Sequence, residues 1–332
     1  MSVRIAFVGV GGIAQTHLKA LHANPDAELV AACDVRLDRA EAAAGQYGMV
    51  AYSDVDRMLE QEKPDALFLC VPPFAHSDLE EKAARRGVHL FVEKPLGLDM
   101  SAIRAKASVI REAGILAAAG YCLRYLDLAQ QAKEYLRGKS IAMVRAQYMC
   151  GFAETPWWRE LSLSGGQLVE QATHTVDMTR YLAGDIESVY ARMGFGQLED
   201  KPGATIASVT TVSVGYASGA IGCIDTTCIQ PDWRSGVEII GRDYRLTLSG
   251  RTLTILEGTE TQTFQSETAS YFQVQDDAFV QAVRSGDWSG IRSTYDDALE
   301  TAEVTLAAHE SAVSGQPVSI AGSRLGSPEL RR

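Results

Sequence analysis

The sequence predicts two domains in series: an α/β unit built on a doubly wound parallel sheet, then an α+β unit carrying a large, mostly antiparallel sheet. Three observations lead there. The chain has 332 residues, a length that suits two compact domains better than one. Up to residue 119, short continuously apolar runs alternate with amphipathic stretches of helical length, the pattern of parallel strands covered on both faces. Past residue 124 the rhythm changes, and beyond residue 186 strand-length segments joined by Gly, Asp and Ser turns read as a mostly antiparallel sheet.

Taken in order, strands are expected at 3–8, 29–33, 66–71, 89–92 and 115–119, with helices at 13–23, 36–47, 77–86 and 101–113. The change of rhythm sets a break near Leu123, dividing the chain into 1–122 and 123–320, with 321–332 as a loose tail. A helix at 126–137 and a strand at 142–149 follow, and then a Ser-Gly-Gly stretch opening another helix. Further strands are expected at 207–214, 220–226, 237–240, 245–248 and 252–256. Helical patterns at 277–284 and 295–314 should cover one face of that second sheet, the latter stopped by Gly315 and Pro317.

With 46% hydrophobic and 22% charged residues the chain has ordinary globular composition. Its 31 basic against 42 acidic residues give a net charge of -11, which repels phosphate backbones and anionic lipid and argues against nucleic acid and membrane as partners. Six cysteines without C-x-x-C or metal-finger spacing are expected as buried free thiols. With neither a signal-peptide pattern nor a long uncharged apolar window, the expected compartment is the cytoplasm.

Directly after the first strand, Gly9-Val10-Gly11-Gly12-Ile13-Ala14 fits G-x-G-x-x-[G/A] at the start of a helix. Such a turn lets backbone approach a pyrophosphate, which then sits on the positive end of the helix dipole. Asp34, twenty residues past Ala14 at the end of the second strand, is placed to accept hydrogen bonds from both adenosine ribose hydroxyls. A carboxylate there repels a 2′-phosphate and favours NAD, while Arg36 and Arg39 keep NADP open. A turn needed only for packing, with Asp34 as a helix cap, is the plainer reading.

Ligands of open α/β sheets lie beyond the carboxyl ends of the strands, where Pro72-Pro73-Phe74-Ala75-His76 and Glu93-Lys94-Pro95 stand. Side chains alternate along a strand, so only one of Glu93 and Lys94 can face a nicotinamide. Lys94 is the better candidate, because desolvation beside a cation favours its neutral amine and suits it to proton transfer. A solvated loop lysine is the alternative. Further on, Glu170, His174 and Asp177, at i, i+4 and i+7, would share one face of a helix opened by Gly165 and Gly166. A metal is set aside, since no further His or Cys cluster completes a coordination shell. Trp157 and Trp158 offer flat faces to a sugar ring and Arg159 directional donors, or else both tryptophans anchor one domain to the other.

The glycine turn, the Pro73 to His76 segment, Glu93-Lys94-Pro95 and the 165–177 segment, in that order, resemble the glucose-fructose oxidoreductase and inositol dehydrogenase superfamily (Gfo/Idh/MocA) up to about residue 320. The resemblance implies an N-terminal Rossmann domain with the dinucleotide laid across it. It also implies a Glu93-Lys94-Pro95 turn that often has a cis proline, and a homodimer or homotetramer built through the C-terminal sheet. The implied cofactor contacts are Gly9, Gly11, Gly12, Ile13, Ala14, Asp34, Arg36, Pro72, His76, Glu93 and Lys94. Tyr121, Arg124, Trp157, Trp158, Arg159 and Asp177 would line the substrate, although Tyr121 and Arg124 also suit hinge packing. Glu170 falls where many members carry aspartate, and its extra methylene displaces the carboxylate by about one C–C bond.

The activity so implied is reversible oxidation of a secondary alcohol on a sugar, sugar derivative or cyclic polyol, with hydride passing to the nicotinamide. His174 would take the hydroxyl proton, Lys94 would stabilise the alkoxide, and Glu170 would position substrate or histidine. One rival keeps NAD tightly bound and recycles it during elimination or glycosidic cleavage, without net NADH. Another is a non-catalytic dinucleotide sensor, against which Lys94 and His174 argue.

Overall fold

The computed structural model describes residues 2–320, so the tail expected at 321–332 lies outside the described residues. In chain order the first half runs β1 (Val3–Val8), α1 (Gly12–His22), β2 (Ala27–Cys33), α2 (Leu37–Tyr47), β3 (Val50–Tyr52), α3 (Val55–Glu62), β4 (Ala66–Leu69), α4 (Leu79–Ala84), β5 (His89–Val92), α5 (Met100–Ala113) and β6 (Ala117–Ala119). The strands form one parallel sheet ordered β3-β2-β1-β4-β5-β6. The order reverses between β1 and β4, which puts the crevice that binds ligands beyond the carboxyl ends of those two strands.

The second half runs α6 (Asp127–Leu136), β7 (Ile141–Met149), α7 (Leu161–Ser164), α8 (Gly166–Glu170), α9 (Thr173–Ala183), β8 (Ile186–Gly194), β9 (Val209–Tyr216), β10 (Ile221–Thr227), β11 (Arg234–Gly241), β12 (Tyr244–Ser249), β13 (Thr252–Glu257), β14 (Glu260–Gln265), α10 (Tyr271–Ser285), α11 (Tyr295–Ser314) and β15 (Val318–Ser319). Its nine strands are ordered β14-β13-β12-β11-β7-β10-β9-β8-β15, and every pairing but β10 with β7 is antiparallel. Helix α9 packs on β7 and β11. On the sheet, the register partners Met143 and Ile221 are exposed, at 39% and 60%.

Packing divides the chain otherwise than at a single break after residue 122. One compact unit takes the chain up to Gln130 together with Glu267–Ala302, and the other takes Gln131–Ser266 with the segment from Glu303 on. The expectation that the helix near 277–284 covers the antiparallel sheet is therefore corrected. Helix α10, capped at its start by the Ser270 side chain, packs on α1 and β1. Its Phe279 meets Phe68 and Phe91 edge to face at 5.4 and 5.5 Å, while Phe68 stacks on Phe7 at 5.0 Å and on Phe91 at 4.5 Å. Hydrophobic period tells which face of a helix is apolar, but not which sheet it meets. Among the described residues no helix is long and apolar enough to cross a membrane.

Candidate functional site

The β1–α1 turn shows why glycine stands where it does. Gly9 has φ 81, and a Cβ there would lie 2.5 Å from the Cys70 carbonyl oxygen at the end of neighbouring β4. At Gly11 and Gly12 a Cβ would meet nothing within 4 Å, so the two glycines keep backbone bare on an open side of the turn. Helix α1 starts at Gly12 behind Gly11, so no capping side chain competes for its first N–H groups. Asp34 braces this turn: Oδ2 accepts from Val10 N at 3.1 Å and Oδ1 from Arg36 N at 2.9 Å. A carboxylate has about four lone-pair sites, so acceptor capacity remains for ribose hydroxyls. Ile13 is half-buried, Ala14 buried, and the exposed Arg36 guanidinium is paired with Asp38 at 2.6 Å. The residues present fit a dinucleotide.

At the end of β5 the alternation is as expected. Glu93 turns inward, 3% exposed, and Lys94 is half-buried with a cis bond to Pro95. Glu93 is thus no surface for a cofactor: Oε1 bonds His17 Nε2 at 3.0 Å and Oε2 accepts from Lys94 N at 3.1 Å. A Cβ on Gly120 would fall 2.4 Å from Glu93 Oε1, so the carboxylate occupies the place of a side chain on the adjoining strand end. His17 Nδ1 in turn bonds both Asp276 oxygens at 2.9 Å. Burial opposes charge on His17, but Asp276 and Glu93 outweigh it and push the imidazole up to about 10. Asp276 moves up as well, because burial and repulsion from Glu93 exceed the attraction of His17. One imidazolium between two carboxylates thus closes the strand end that carries Lys94.

Pro72 is half-buried, and His76 follows a helical turn over Pro73–Ala75 and is buried. Its Nδ1 bonds Glu80 Oε1 at 2.7 Å, and Lys106 Nζ bonds Glu80 Oε2 at 2.8 Å. Burial works against charge on Glu80, but the His76 and Lys106 side chains beside it hold its carboxyl below the usual range. His76 Nε2 finds no hydrogen-bond partner among the described residues. Tyr121 is buried, and the buried Arg124 donates to the Arg292 carbonyl at 2.6 Å and pairs with Asp297 at 2.5 Å, which is packing.

In the other unit, the expected single helix through Glu170, His174 and Asp177 is corrected. Glu170 ends α8 and His174 lies in the first turn of α9. Between them the hydrogen-bond ladder slips: both Gln171 N and Ala172 N bond the Gln167 carbonyl at 2.9 Å, and His174 N bonds that of Gln171 at 3.3 Å. The extra residue rotates the phase, so the three do not share one face. Glu170 and His174 are half-buried, whereas Asp177 is 1% exposed and belongs to the interior. Gln167 ties α8 to the sheet through the Thr227 carbonyl at 2.7 Å.

Trp158 is 2% exposed and offers no flat face outward. It centres a small apolar cluster with Ile206 and Cys228, against which Trp157 and Phe152 pack, and its Nε1 donates to Glu170 Oε2 at 2.8 Å. Arg159 donates to the Pro202 carbonyl at 3.0 Å and bonds Glu154 at 3.2 Å. Sequence reasoning missed His17 and Asp276. The available signal was a charged residue on the apolar stripe of each helix, at His17 beside Leu18 and Leu21, and at Asp276 before Phe279 and Val280.

Residues 3–121 match the family described as the GFO_IDH_MocA oxidoreductase family, NAD-binding Rossmann fold, and residues 130–247 match the GFO/IDH/MocA C-terminal domain. A scyllo-inositol 2-dehydrogenase (NAD(+)) of Bacillus subtilis (strain 168) is 29% identical over 96% of both chains. An inositol 2-dehydrogenase of Rhizobium meliloti (strain 1021) is 31% identical over 64% of both. Among solved structures, a putative myo-inositol dehydrogenase from Sinorhizobium meliloti 1021 superposes with a TM-score of 0.81 at 25% identity, covering 96% of this chain and 100% of that one. The WlbA dehydrogenase from Bordetella pertussis, solved with NADH and UDP-GlcNAcA, has the same fold, with a TM-score of 0.82 at 23% identity over 96% and 99%.

Proposed function

From the premise that the chain belongs to the GFO/IDH/MocA oxidoreductase family, with an NAD-binding Rossmann unit at residues 3–121, we propose that it oxidises a secondary alcohol of a cyclic polyol or sugar. Relatives named for scyllo-inositol and inositol support that substrate class. The observation that carries the reading is the bare backbone at Gly11 and Gly12, braced by Asp34 at the neighbouring strand end. When bound, NAD supplies a hydride acceptor at C4 of its nicotinamide. Asp34 takes the ribose hydroxyls, and the occupied Arg36 leaves NAD favoured over NADP. The Nε2 of His76, without a hydrogen-bond partner among the described residues, supports a place for that ring on the dinucleotide side. Lys94 holds the substrate hydroxyl and stabilises the alkoxide, His174 takes the hydroxyl proton, and Glu170 orients the substrate. A second copy of the chain seats on the sheet face that carries Met143 and Ile221.

The test is NADH formation from NAD with myo-inositol, scyllo-inositol and a set of glucosides. Lys94→Ala and His174→Ala should each lower kcat by about 10²–10⁴-fold while the thermal shift produced by NAD stays as in the wild type. Undiminished turnover in either variant refutes its role, and product without net NADH transfers the protein to the redox-recycling class.

A further inference from the structure

We propose that Trp158 is the positioning residue for Glu170, so that a braced loop assembly sets where the carboxylate of this acid stands. The inference rests on the role given to Glu170 above. A glutamate carboxylate is carried on three rotatable bonds, and holding it still costs conformational entropy unless a partner fixes it. The indole N–H is such a partner, 2.8 Å from Glu170 Oε2. It is donor only, and in a side chain 2% exposed it needs an acceptor. A hydrogen bond to a carboxylate is about twice as strong as one between neutral groups.

The indole is itself fixed. Phe152 meets it edge to face at 5.3 Å and 87°, and Ile206 and Cys228 enclose it in a cluster of their own. The backbone around it is tied to the segment that supplies Ile206: Thr205 N donates to the Arg159 carbonyl at 2.9 Å, and Leu161 N to Thr205 Oγ1 at 2.8 Å. Arg159 reaches the Pro202 carbonyl from the same turn. Residues 152–161 and 198–206 therefore form one braced assembly that reaches the candidate acid through Trp158 Nε1. An acid anchored this way keeps one carboxylate oxygen in a fixed place relative to whatever substrate it orients.

The test uses the full chain with its indoles labelled by 15N. Among the four tryptophan N–H signals, the one lost in Trp158→Phe should shift in Glu170→Gln while the other three stay in place. A signal that does not move overturns the clamp. With the best substrate of the polyol and glucoside panel, W158F should lower kcat by about 10²-fold, the cost of roughly 1 Å of misplacement, with KM for NAD unchanged and a cooperative melt retained. In Glu170→Asp, whose carboxylate stops one methylene short of the indole, adding W158F should cost little more. Additive losses in the double variant, or wild-type kcat in W158F, overturn the proposal. Wild-type kcat in E170Q with a shifted indole signal overturns instead the assignment of Glu170 to the reaction.

Discussion

His17, sealed at 0% exposure between Asp276 and Glu93, carries more weight than its size suggests. Taking one member from a buried charged array leaves the others uncompensated, so His17→Leu should cost about 3–5 kcal/mol, measured by urea unfolding at neutral pH. The pH dependence has a definite sign. The folded-state pKa is raised to about 10, above the ordinary value of 6.5. Its stabilisation is therefore complete below the ordinary value and is lost as pH rises through about 10, where the native imidazole releases its proton. Urea midpoints between those limits should fall with pH more steeply in the wild type than in H17L, and parallel slopes would contradict this balance. Strand alternation made Glu93 against Lys94 legible in the sequence, because it is a local rule. The partners of His17 lie 76 and 259 residues away, and no local rule pairs them.

Elements with strong periodicity and firm stops were legible to the residue: β1, β5 and α11 begin and end where the pattern says. Strand β3 is three residues long and β14 reads Glu-Thr-Gln-Thr-Phe-Gln, too short or too polar to announce a strand. The segment holding Glu170 and His174 looked like one helix because spacing cannot show a ladder that slips by one residue. Helix α10, expected at 277–284, runs over Tyr271–Ser285, and neither its first turns nor its neighbour could be read from the pattern. Because Phe279 is fully buried against Phe68 and Phe91, Phe279→Ala should destabilise the first unit by about 3–5 kcal/mol. A fragment of residues 1–130, lacking α10, should bind a hydrophobic dye and unfold without a cooperative transition. A sharp transition in that fragment would show that α10 is dispensable to the core.

At the scale of the molecule, a sheet with Met143 and Ile221 side by side and exposed suits association, whereas a net charge of -11 keeps copies apart except where apolar surface outweighs it. Ile221→Lys should shift sedimentation of the chain toward the monomer without changing its melting temperature by more than a few degrees. An unchanged sedimentation coefficient would place any association on another surface. Because α10 completes the aromatic core begun by β1 and β4, the ribosome must deliver everything from Gln131 to Ser285 before the first unit can close. At about 5–20 residues per second that is a delay of roughly 8–30 s, during which Phe68 and Phe91 on the nascent chain have no Phe279 to cover them. The late-born helix therefore makes the earliest segment a natural client of chaperones that wait at the exit tunnel.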